Sequence, residues 1–417
     1  MPTLNLGILA HVDAGKTSLT ERLLYAAGAI RRLGGVDTGD TQTDTLALER
    51  QRGITIRSAV ASFAIGEVTV NLIDTPGHPD FIAEVERVLG VLDGAALVVS
   101  AVEGVQPQTR ILMRALRRLR IPTVFFVNKI DRPGARADAL VRDLAAKLEA
   151  RPVAMGAVRS IGRRDAAFVP YEAGDAAFAA RLAEALGESD EAILSAWLDG
   201  ATPPLAQLRR AFVAQTARAE VQPLFFGSAI TGAGVEPLIA GLAELLPAAS
   251  ADAGGPPAAR VFKVERSPSG EKVAYARIVS GSIRAREKLR LPGGGEAKVT
   301  AIAAFQPGGP RPAAQLRSGQ IGKLWGLAAA QVGDALGAAN AGASPRAHFA
   351  PPTLEAVVAP VRPAQRVAMG AALAQLAEQD PLIALRQDDT RSETFVSLYG
   401  EVQQEVIAET LARDYGV

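Results

Sequence analysis

The chain has 417 residues, of which 48% are apolar and 21% are charged, and its formal net charge is +1. This length predicts roughly two to four domains, and the charge balance indicates neither disorder nor a general basic excess, although it still allows a local basic face for RNA. The absence of cysteine excludes disulfides, thiolate zinc sites and cysteine nucleophiles, and the three histidines disfavour a histidine-rich metal site.

The N-terminal region has no sign of a targeting segment. Leu4–Ala10 is a short apolar run without a basic leader, and no stretch approaches the roughly 20 apolar residues that span a bilayer. We therefore expect a cytoplasmic protein with neither a membrane nor a DNA partner.

The first part of the chain alternates between apolar strands and helices. The predicted strands are Leu4–Ala10, Val68–Ile73, Ala95–Ser100 and Pro122–Val127, and the predicted helices are Lys16–Ala27 and Gln108–Arg118. Because these strands are apolar throughout, we expect a mostly parallel sheet with helices on both faces. Ligands of such sheets lie at the carboxyl ends of the strands, and the motifs AHVDAGKT, DTPGH and NKID described below each follow a strand.

The next region, about 150–222, is predicted to be mostly helical, with amphipathic helices at Glu188–Leu198 and Leu205–Ala219. A late strand of the first sheet is predicted at Pro223–Phe226. We therefore interpret 150–222 as a helical insertion within a first domain that spans residues 1–247.

A linker rich in Ala, Gly and Pro, Leu246–Arg260, precedes a region of short β-runs divided by turns at Ser267–Gly270 and Pro292–Gly295. These runs are Val261–Val264, Val273–Val279, Lys288–Leu291 and Lys298–Ala303. Short strands at this spacing predict a small antiparallel barrel over residues 258–340.

A second linker, Ala338–Pro352, leads into a predicted α+β domain over residues 351–417. Its pattern is β-α-β-β-α: Thr353–Val361, Ala364–Glu378, Ile383–Gln387, Glu393–Leu398 and Glu401–Tyr415, with a hairpin turn at Asp388–Ser392. The order is that of a ferredoxin-like fold without its last strand.

The motif AHVDAGKT has the spacing of a P-loop, with alanine in place of the first glycine. Small residues allow backbone N–H groups to approach phosphate oxygens closely. Lys16 is expected to contact the β- and γ-phosphates, and the Thr17 hydroxyl to bind Mg²⁺. The predicted phosphate-binding residues are Ala10, His11, Val12, Asp13, Ala14, Gly15, Lys16, Thr17 and Ser18. The alternative is an ordinary glycine turn that caps a helix.

Two further motifs are typical of sites for the γ-phosphate and its metal ion. DTPGH follows the strand Val68–Ile73, so that Asp74 can hold Mg²⁺, usually through water, and Gly77 can donate its N–H to the γ-phosphate. RGITI places Thr55 where its hydroxyl can complete the Mg²⁺ shell when that phosphate is present. Taken alone, DTPGH could be a turn and RGITI a surface strand.

The motif NKID, Asn128 to Asp131, predicts guanine rather than adenine as the base. A carboxylate at Asp131 can accept hydrogen bonds from the N1–H and the 2-amino group of guanine, a pair of donors that adenine lacks. Lys129 would lie along the face of the base, and the backbone of Ser228–Ala229 would contact the guanine O6. The sequence therefore predicts GTP and GDP as ligands, and a P-loop ATPase or kinase is disfavoured.

Taken in order, these motifs resemble those of translational GTPases. Longer segments are similar to tetracycline-resistance ribosomal protection proteins, which are relatives of elongation factor G: Leu33–Ile56, Leu92–Leu112, Ile121–Asp131 and Ser397–Val406. Elongation factor G differs from this chain around Thr41–Glu49, where it is rich in aromatic residues, and near the closing segment, where it usually carries Gly-Glu-Leu-His-Leu.

The resemblance implies several roles. His78 would orient the attacking water, Lys16 and Thr55 would join it in catalysis, and Val12 and Ile54 would form an apolar gate over His78. The alternative for His78 is an imidazole that caps a helix and takes no part in the chemistry. Asp13 would help to arrange the phosphate loop. The implied partner is the ribosome, with ribosomal RNA and proteins completing the site, and the implied activity is GTP hydrolysis.

Members of the family continue beyond the position of Val417, with a final strand of the third domain and two more domains. We therefore expect an incomplete third domain with an open sheet edge that favours self-association or local disorder. The alternatives are a translocation or recycling factor like elongation factor G, and a truncated GTP-binding module without efficient turnover.

Overall fold

The computed structural model describes residues 2–35, 41, 47–172, 174–249, 254–267, 269–292, 294–338, 348–388 and 393–417. Several predictions fall wholly or partly outside these residues: the segment 33–56, the two linkers, and the turns at 267–270, 292–295 and 388–392.

The helices in chain order are α1 (Lys16–Ala26), α2 (Ala47–Arg52), α3 (Ile82–Leu89), α4 (Pro107–Arg118), α5 (Asp138–Leu148), α6 (Ala176–Gly187), α7 (Glu191–Leu198), α8 (Leu205–Ala217), α9 (Val235–Leu245), α10 (Arg366–Gln379) and α11 (Glu401–Asp414). No helix among the described residues is long and apolar enough to cross a membrane.

The strands are β1 (Thr3–Ala10), β2 (Ala59–Ile65), β3 (Val68–Asp74), β4 (Gly94–Ser100), β5 (Thr123–Asn128), β6 (Pro152–Ala154), β7 (Gly156–Arg159), β8 (Ala167–Pro170), β9 (Gln222–Phe226), β10 (Ala258–Arg266), β11 (Lys272–Ser280), β12 (Ser282–Arg284), β13 (Lys288–Arg290), β14 (Glu296–Lys298), β15 (Ile302–Gln306), β16 (Gly309–Pro312), β17 (Gln315–Arg317), β18 (Ile321–Leu324), β19 (Ala335–Gly337), β20 (Leu354–Val358), β21 (Arg386–Asp388) and β22 (Glu393–Leu398).

The chain divides into two compact units. The first comprises Met1–Thr45, Ala59–Gly77 and Leu92–Ala249, and the second comprises Leu46–Ser58, His78–Val91 and Ser250–Val417. Two short segments that follow the phosphate loop in sequence, 47–58 and 78–91, thus belong with the C-terminal part of the chain.

The first unit contains a seven-stranded sheet with the order β2-β3-β1-β4-β5-β9-β6. All its strand pairs are parallel except the pair of β2 with β3 at one edge. Every residue of β1, β4 and β5 is buried, as their continuous apolar sequences predict for strands covered on both faces. The parallel order brings the carboxyl ends of β1, β3, β5 and β9, with their motifs, to one edge of the sheet.

The interpretation of residues 150–222 as a helical insertion is wrong in part. The helices α6, α7 and α8 are present, but β6 adds a seventh strand to the sheet and β7 pairs with β8 as a hairpin. These strands have only three or four residues each, too few for a repeating pattern of burial to stand out in the sequence.

The second unit contains the predicted antiparallel barrel. Its six-stranded sheet has the order β16-β15-β18-β11-β10-β19, and two small sheets, β12-β17 and β13-β14, complete it. Side chains from these sheets share one core, which includes Val261, Ile283, Leu289, Leu316 and Leu324.

The single strand predicted at Lys298–Ala303 is wrong, because the chain changes partners within it. Val299 donates its N–H to the carbonyl of Glu287 at 2.9 Å, whereas Thr300 donates to the carbonyl of Trp325 at 3.0 Å. Two strands, β14 and β15, result, and they belong to different sheets.

The C-terminal region follows the predicted β-α-β-β-α order, with sheet order β20-β22-β21. The helices α10 and α11 pack on this sheet through apolar side chains such as Leu373 and Ile407. The predicted strand Ile383–Gln387 begins later, at Arg386, because Pro381–Ile383 forms a 3-10 turn. In the described part of the chain β20 pairs with β22 alone, and Val357 on this edge strand is half exposed.

Candidate nucleotide site

The phosphate loop connects β1 to α1. Gly15 has φ of 86°, in the left-handed region that favours glycine, and a Cβ here would overlap the amide nitrogen of Asn128. Asp13 also has a positive φ, of 62°. Ala10 and Ala14 are buried and Val12 is 37% exposed. The loop is therefore tightly bent where the motif predicts close approach of its backbone to phosphate.

The ammonium of Lys16, at the start of α1, forms a buried ion pair with the Asp74 carboxylate at the end of β3. The same nitrogen lies 3.4 Å from the Thr17 hydroxyl oxygen. Three predicted ligands of the phosphates and Mg²⁺ therefore meet at one point of the first unit.

The DTPGH segment follows β3 and passes close to the phosphate loop. The Thr75 hydroxyl donates to the carbonyl of Ile8 at 2.8 Å, and a Cβ on Gly77 would lie 3.3 Å from the carbonyl oxygen of Ala10. A side chain at position 77 would crowd that loop, which is consistent with a glycine that offers its backbone to phosphate.

Asn128, at the end of β5, joins two loops through the two ends of its amide. Its Nδ2 donates to the carbonyl of Ala14 at 2.8 Å, and its Oδ1 accepts from the N–H of Ala229 at 2.9 Å. The predicted phosphate loop and the predicted guanine loop are thus connected by one buried side chain.

The remaining base-binding candidates lie around this amide in the first unit. Lys129, with φ of 67°, forms an ion pair with Glu103 at 3.0 Å. The Asp131 side chain is 10% exposed, and its Oδ2 lies 3.9 Å from the Nε of Arg132. The Ser228 hydroxyl accepts from the N–H of Thr231 at 3.1 Å.

His11 is a buried member of the phosphate loop. Its Nδ1 lies 3.1 Å from the hydroxyl oxygen of Thr109, at the start of α4. Burial lowers the pKa of its imidazole below the ordinary value, with opposing contributions from Glu103. The lowered pKa favours the neutral imidazole, and the contact with Thr109 holds its ring against α4.

Two predicted catalytic residues, Thr55 and His78, belong to the second unit. Thr55 is buried, and its neighbour Ile54 packs against an apolar cluster of Leu48, Ile56, Phe81 and Val406. The His78 ring is 23% exposed, and its Nδ1 accepts the backbone N–H of Asp80 at 3.2 Å. Because Nδ1 accepts this bond, the neutral imidazole carries its proton on Nε2.

The sequence reasoning missed several residues that hold these loops. Arg22 donates its Nε to the carbonyl of Ala229 at 2.8 Å, Glu103 pairs with Lys129, and Thr109 contacts His11. The bridging role of Asn128 was also missed, although the motif had identified the residue. None of these contacts leaves a pattern in sequence, because each joins residues that are 26 to 207 positions apart in the chain.

The oxygen ligands next to Lys16 fit a magnesium ion. Mg²⁺ prefers hard oxygen ligands, and the Thr17 hydroxyl and Asp74 carboxylate supply two within the first unit. Among the residues that the structure describes, no group of three or more His, Cys, Asp or Glu side chains is arranged to hold a metal ion.

Comparison with known proteins identifies two regions of the chain. Residues 1–248 match the family model described as the elongation factor Tu GTP binding domain, and residues 349–417 match elongation factor G, domain III.

Similar proteins carry resistance names. The oxytetracycline resistance protein of Streptomyces rimosus is 51% identical, matched over 100% of this chain and 64% of its own length. The tetracycline resistance proteins TetM of Streptomyces lividans and TetP of Clostridium perfringens are 48% and 40% identical, over 100% and 99% of this chain and 65% and 63% of theirs. The chain thus spans less than two thirds of the length of these relatives.

The crystal structure of ttk003000868 from Thermus thermophilus is also similar, with a TM-score of 0.86 and 27% identity over 100% of this chain and 66% of that one. These matches confirm the predicted fold class and the resemblance on which the functional expectations were based.

Proposed function

The chain belongs to the family of the elongation factor Tu GTP-binding domain, and from this premise we propose that it hydrolyses GTP on the ribosome as a factor that protects against tetracycline. The observation that carries the proposal is the link made by Asn128. It ties the loop with phosphate-binding features to the loop expected at the guanine O6.

Guanine specificity rests on Asp131. Its carboxylate would accept the N1–H and 2-amino hydrogen bonds of guanine, and ATP would leave it without these donors. We expect Asp131→Asn to weaken GTP binding by roughly 100-fold or more. The asparagine amide would place its own N–H donor opposite a hydrogen-bond donor of guanine. Titration with GTP, GDP and ATP in the presence of Mg²⁺ measures this preference. Equal affinity for ATP and GTP in the unaltered chain would contradict the proposal.

The phosphates would be held by Lys16 and the loop backbone, with Mg²⁺ on Thr17, on Asp74 through water, and on Thr55. When bound, Mg²⁺ would neutralise charge on the phosphate oxygens. Gly77 would donate its N–H to the γ-phosphate.

His78 would hold the attacking water through its Nε2–H, since its Nδ1 is engaged by Asp80. Phosphoryl transfer needs little base catalysis because its transition state is loose, so orientation of water is a sufficient task for this imidazole. Val12 and Ile54 would gate its approach, and the ribosome would complete the site. A cytoplasmic location follows from that partner.

Turnover measurements test this assignment. GTP hydrolysis by the 417-residue chain is measured with and without 70S ribosomes, for the unaltered chain and for His78→Ala. We expect ribosomes to raise the rate and His78→Ala to remove that increase while GTP affinity stays within about twofold. A variant that retains all hydrolysis would favour the alternative of a GTP-binding module without efficient turnover.

A protective role is favoured over translocation by the 40–51% identity to proteins named for resistance to tetracyclines. The match to elongation factor G domain III keeps a translocation or recycling factor as the second candidate. Expression of the gene in a tetracycline-sensitive strain separates the two. A rise in tolerance to tetracycline, but not to a drug that binds elsewhere on the ribosome, supports protection, and no change supports the second candidate.

A further inference from the structure

Helix α11 begins without a cap from its own sequence. The residue at its N-cap position is Gly400, which has no side chain to bind the free N–H groups of the first turn. The carboxylate of Asp80 takes this place instead: its Oδ2 accepts from the N–H of Val402 at 2.9 Å and from the N–H of Gln403 at 3.3 Å. The cap therefore comes from a residue 322 positions earlier in the chain.

Gly400 makes room for this carboxylate. A Cβ built on Gly400 would overlap the carboxylate group of Asp80. The backbone at Gly400 is extended, with φ of −175°, so the requirement for glycine here is one of space and not of conformation. The Asp80 carboxylate thus occupies the space that a side chain at position 400 would need.

The same Asp80 holds the imidazole of His78. Its N–H donates to the His78 Nδ1 at 3.2 Å, and its Oδ1 lies 3.4 Å from that nitrogen. The first contact fixes the proton of the neutral ring on Nε2. The Phe81 ring lies beside that of His78, with the two ring centroids 6.0 Å apart.

Other contacts attach the surrounding segments to the same helix. Arg52 pairs with Glu405 at 2.6 Å and with Glu409 at 3.4 Å, both on α11. Phe81 packs against Val406 of α11 in the apolar cluster described above. Several contacts therefore attach these segments to α11, and Asp80 supplies only some of them.

We propose that Asp80 is a positioning residue that ties the His78 imidazole to the first turn of α11, so that the C-terminal region sets the tautomer and direction of this ring. The inference rests on the role proposed for His78 in hydrolysis. It adds that Asp80 connects the His78 segment to α11, and that Gly400 provides the space for its carboxylate.

The three histidines of the chain make a direct measurement practical. With ¹⁵N-labelled histidine, the ring nitrogens of His11, His78 and His348 give few signals, and His78→Gln assigns one set. We expect the unaltered His78 to show the Nε2–H tautomer. In Asp80→Ala the signals should move toward a mixture of tautomers, because the anchored carboxylate is lost and the N–H that bonds Nδ1 is no longer held in place.

Gly400→Ala is the second variant, because it displaces the carboxylate while leaving Asp80 in the chain. It should reproduce the changed His78 signals. Asp80→Asn keeps one side-chain oxygen as an acceptor for α11 and should fall between the unaltered chain and Asp80→Ala. In turnover with ribosomes, Asp80→Ala and Gly400→Ala should lower kcat about tenfold with GTP affinity within about twofold, as expected for a misaligned group.

Asp190→Ala is the matched control. Asp190 caps α7 with the same geometry, accepting from the N–H groups of Ala192 and Ile193 at 3.1 and 3.2 Å. Its loss should leave the His78 signals and kcat unchanged.

Unchanged His78 signals in both Asp80→Ala and Gly400→Ala overturn the inference, whatever happens to hydrolysis. If the signals move but His78→Ala hydrolyses GTP normally, the catalytic role of His78 fails while the tie between Asp80, His78 and α11 stands.

Discussion

The phosphate loop and the segment that carries His78 both follow strands of the first sheet, yet they are held in different ways. Contacts within the first unit hold the loop: Asn128 bonds its backbone and Asp74 pairs with its lysine. The segments 47–58 and 78–91 are bound in part by residues 292 to 357 positions away, in the C-terminal region. The difference indicates that the loops predicted to bind the phosphates and the guanine are held by contacts inside the first unit. Alignment of the proposed hydrolytic residue depends on a separate part of the chain.

The largest expected effect comes from removing the apolar attachment of the His78 segment. Phe81 is 6% exposed and packs against Ile56 and Val406, so Phe81→Ala should cost about 3–5 kcal/mol of unfolding free energy. We expect ribosome-stimulated hydrolysis to fall while GTP affinity stays within about twofold, because the phosphate loop keeps its own contacts. Denaturant unfolding and turnover measure the two effects.

Phe178→Ala is the control for this prediction, since Phe178 is 8% exposed and lies in α6. It should be similarly destabilising without a specific loss of turnover at temperatures where the chain is folded. Equal losses of GTP affinity in both variants would remove the distinction between the two regions.

The next effect concerns the backbone of the phosphate loop. Gly15→Ala combines a strained positive φ with displacement of the Asn128 amide, and we expect it to cost about 2–4 kcal/mol and to abolish measurable GTP binding. Gly28→Ala is matched in φ, at 70°, but a Cβ there meets nothing within 4 Å, so it should cost only about 1 kcal/mol. Thermal unfolding and nucleotide titration of the two variants separate strain from lost contacts, and similar behaviour would show that the Asn128 contact carries little weight.

Removal of the lysine charge should weaken GTP binding less than the change at Gly15 does. Lys16→Met takes away a charge-assisted contact to phosphate, worth about 1.5–3 kcal/mol, or roughly 10- to 150-fold in the Kd for GTP. Lys147→Met removes a lysine from an exposed ion pair with Asp143 on α5 and should leave the Kd unchanged. Isothermal titration checks both, and a Lys16 variant with unaltered Kd would exclude this residue from the site.

The smallest effect is a dependence of stability on pH. Burial lowers the pKa of His11 in the folded state, so below about pH 6.5 the unfolded chain gains a proton that the folded chain does not. Stability contributed by the neutral ring is complete above that pH and falls below it, by at most about 1.4 kcal/mol per pH unit. His11→Asn keeps a polar group near the Thr109 hydroxyl without titrating, so unfolding between about pH 7 and 5.5 should show a flatter slope. An unchanged slope would assign the pH dependence to other groups.

Much of the first unit could be predicted because its strands and motifs are local in sequence. The apolar runs of β1, β4 and β5 predict buried parallel strands, and the motifs after them predict where a nucleotide would lie. The strands β6 to β8 could not be found, because three or four residues give no pattern. The exchange of partners at Val299 and Thr300 depends on strands that come later in the chain.

In the candidate site, the motif residues could be predicted from the sequence, but the residues that hold them in place could not. Asp80 lies within the recognised stretch after His78, but nothing local to it indicates that it caps a helix 322 residues later. The one available signal was the start of α11, where Gly400 and Glu401 offer no N-cap serine, threonine, asparagine or aspartate. A helix whose first N–H groups have no local acceptor requires an acceptor from elsewhere in the chain. The sequence of the helix does not identify which residue supplies it.

The amide of Asn128 has a thermodynamic consequence. Since each end of it fixes a different loop, whatever orders one loop reduces the entropy that remains to be lost in ordering the other. Free guanosine and free inorganic phosphate should therefore bind with positive cooperativity, and by reciprocity each should raise the affinity of the other by the same factor. The two halves of a nucleotide would then be recognised as one ligand even when no covalent bond joins them.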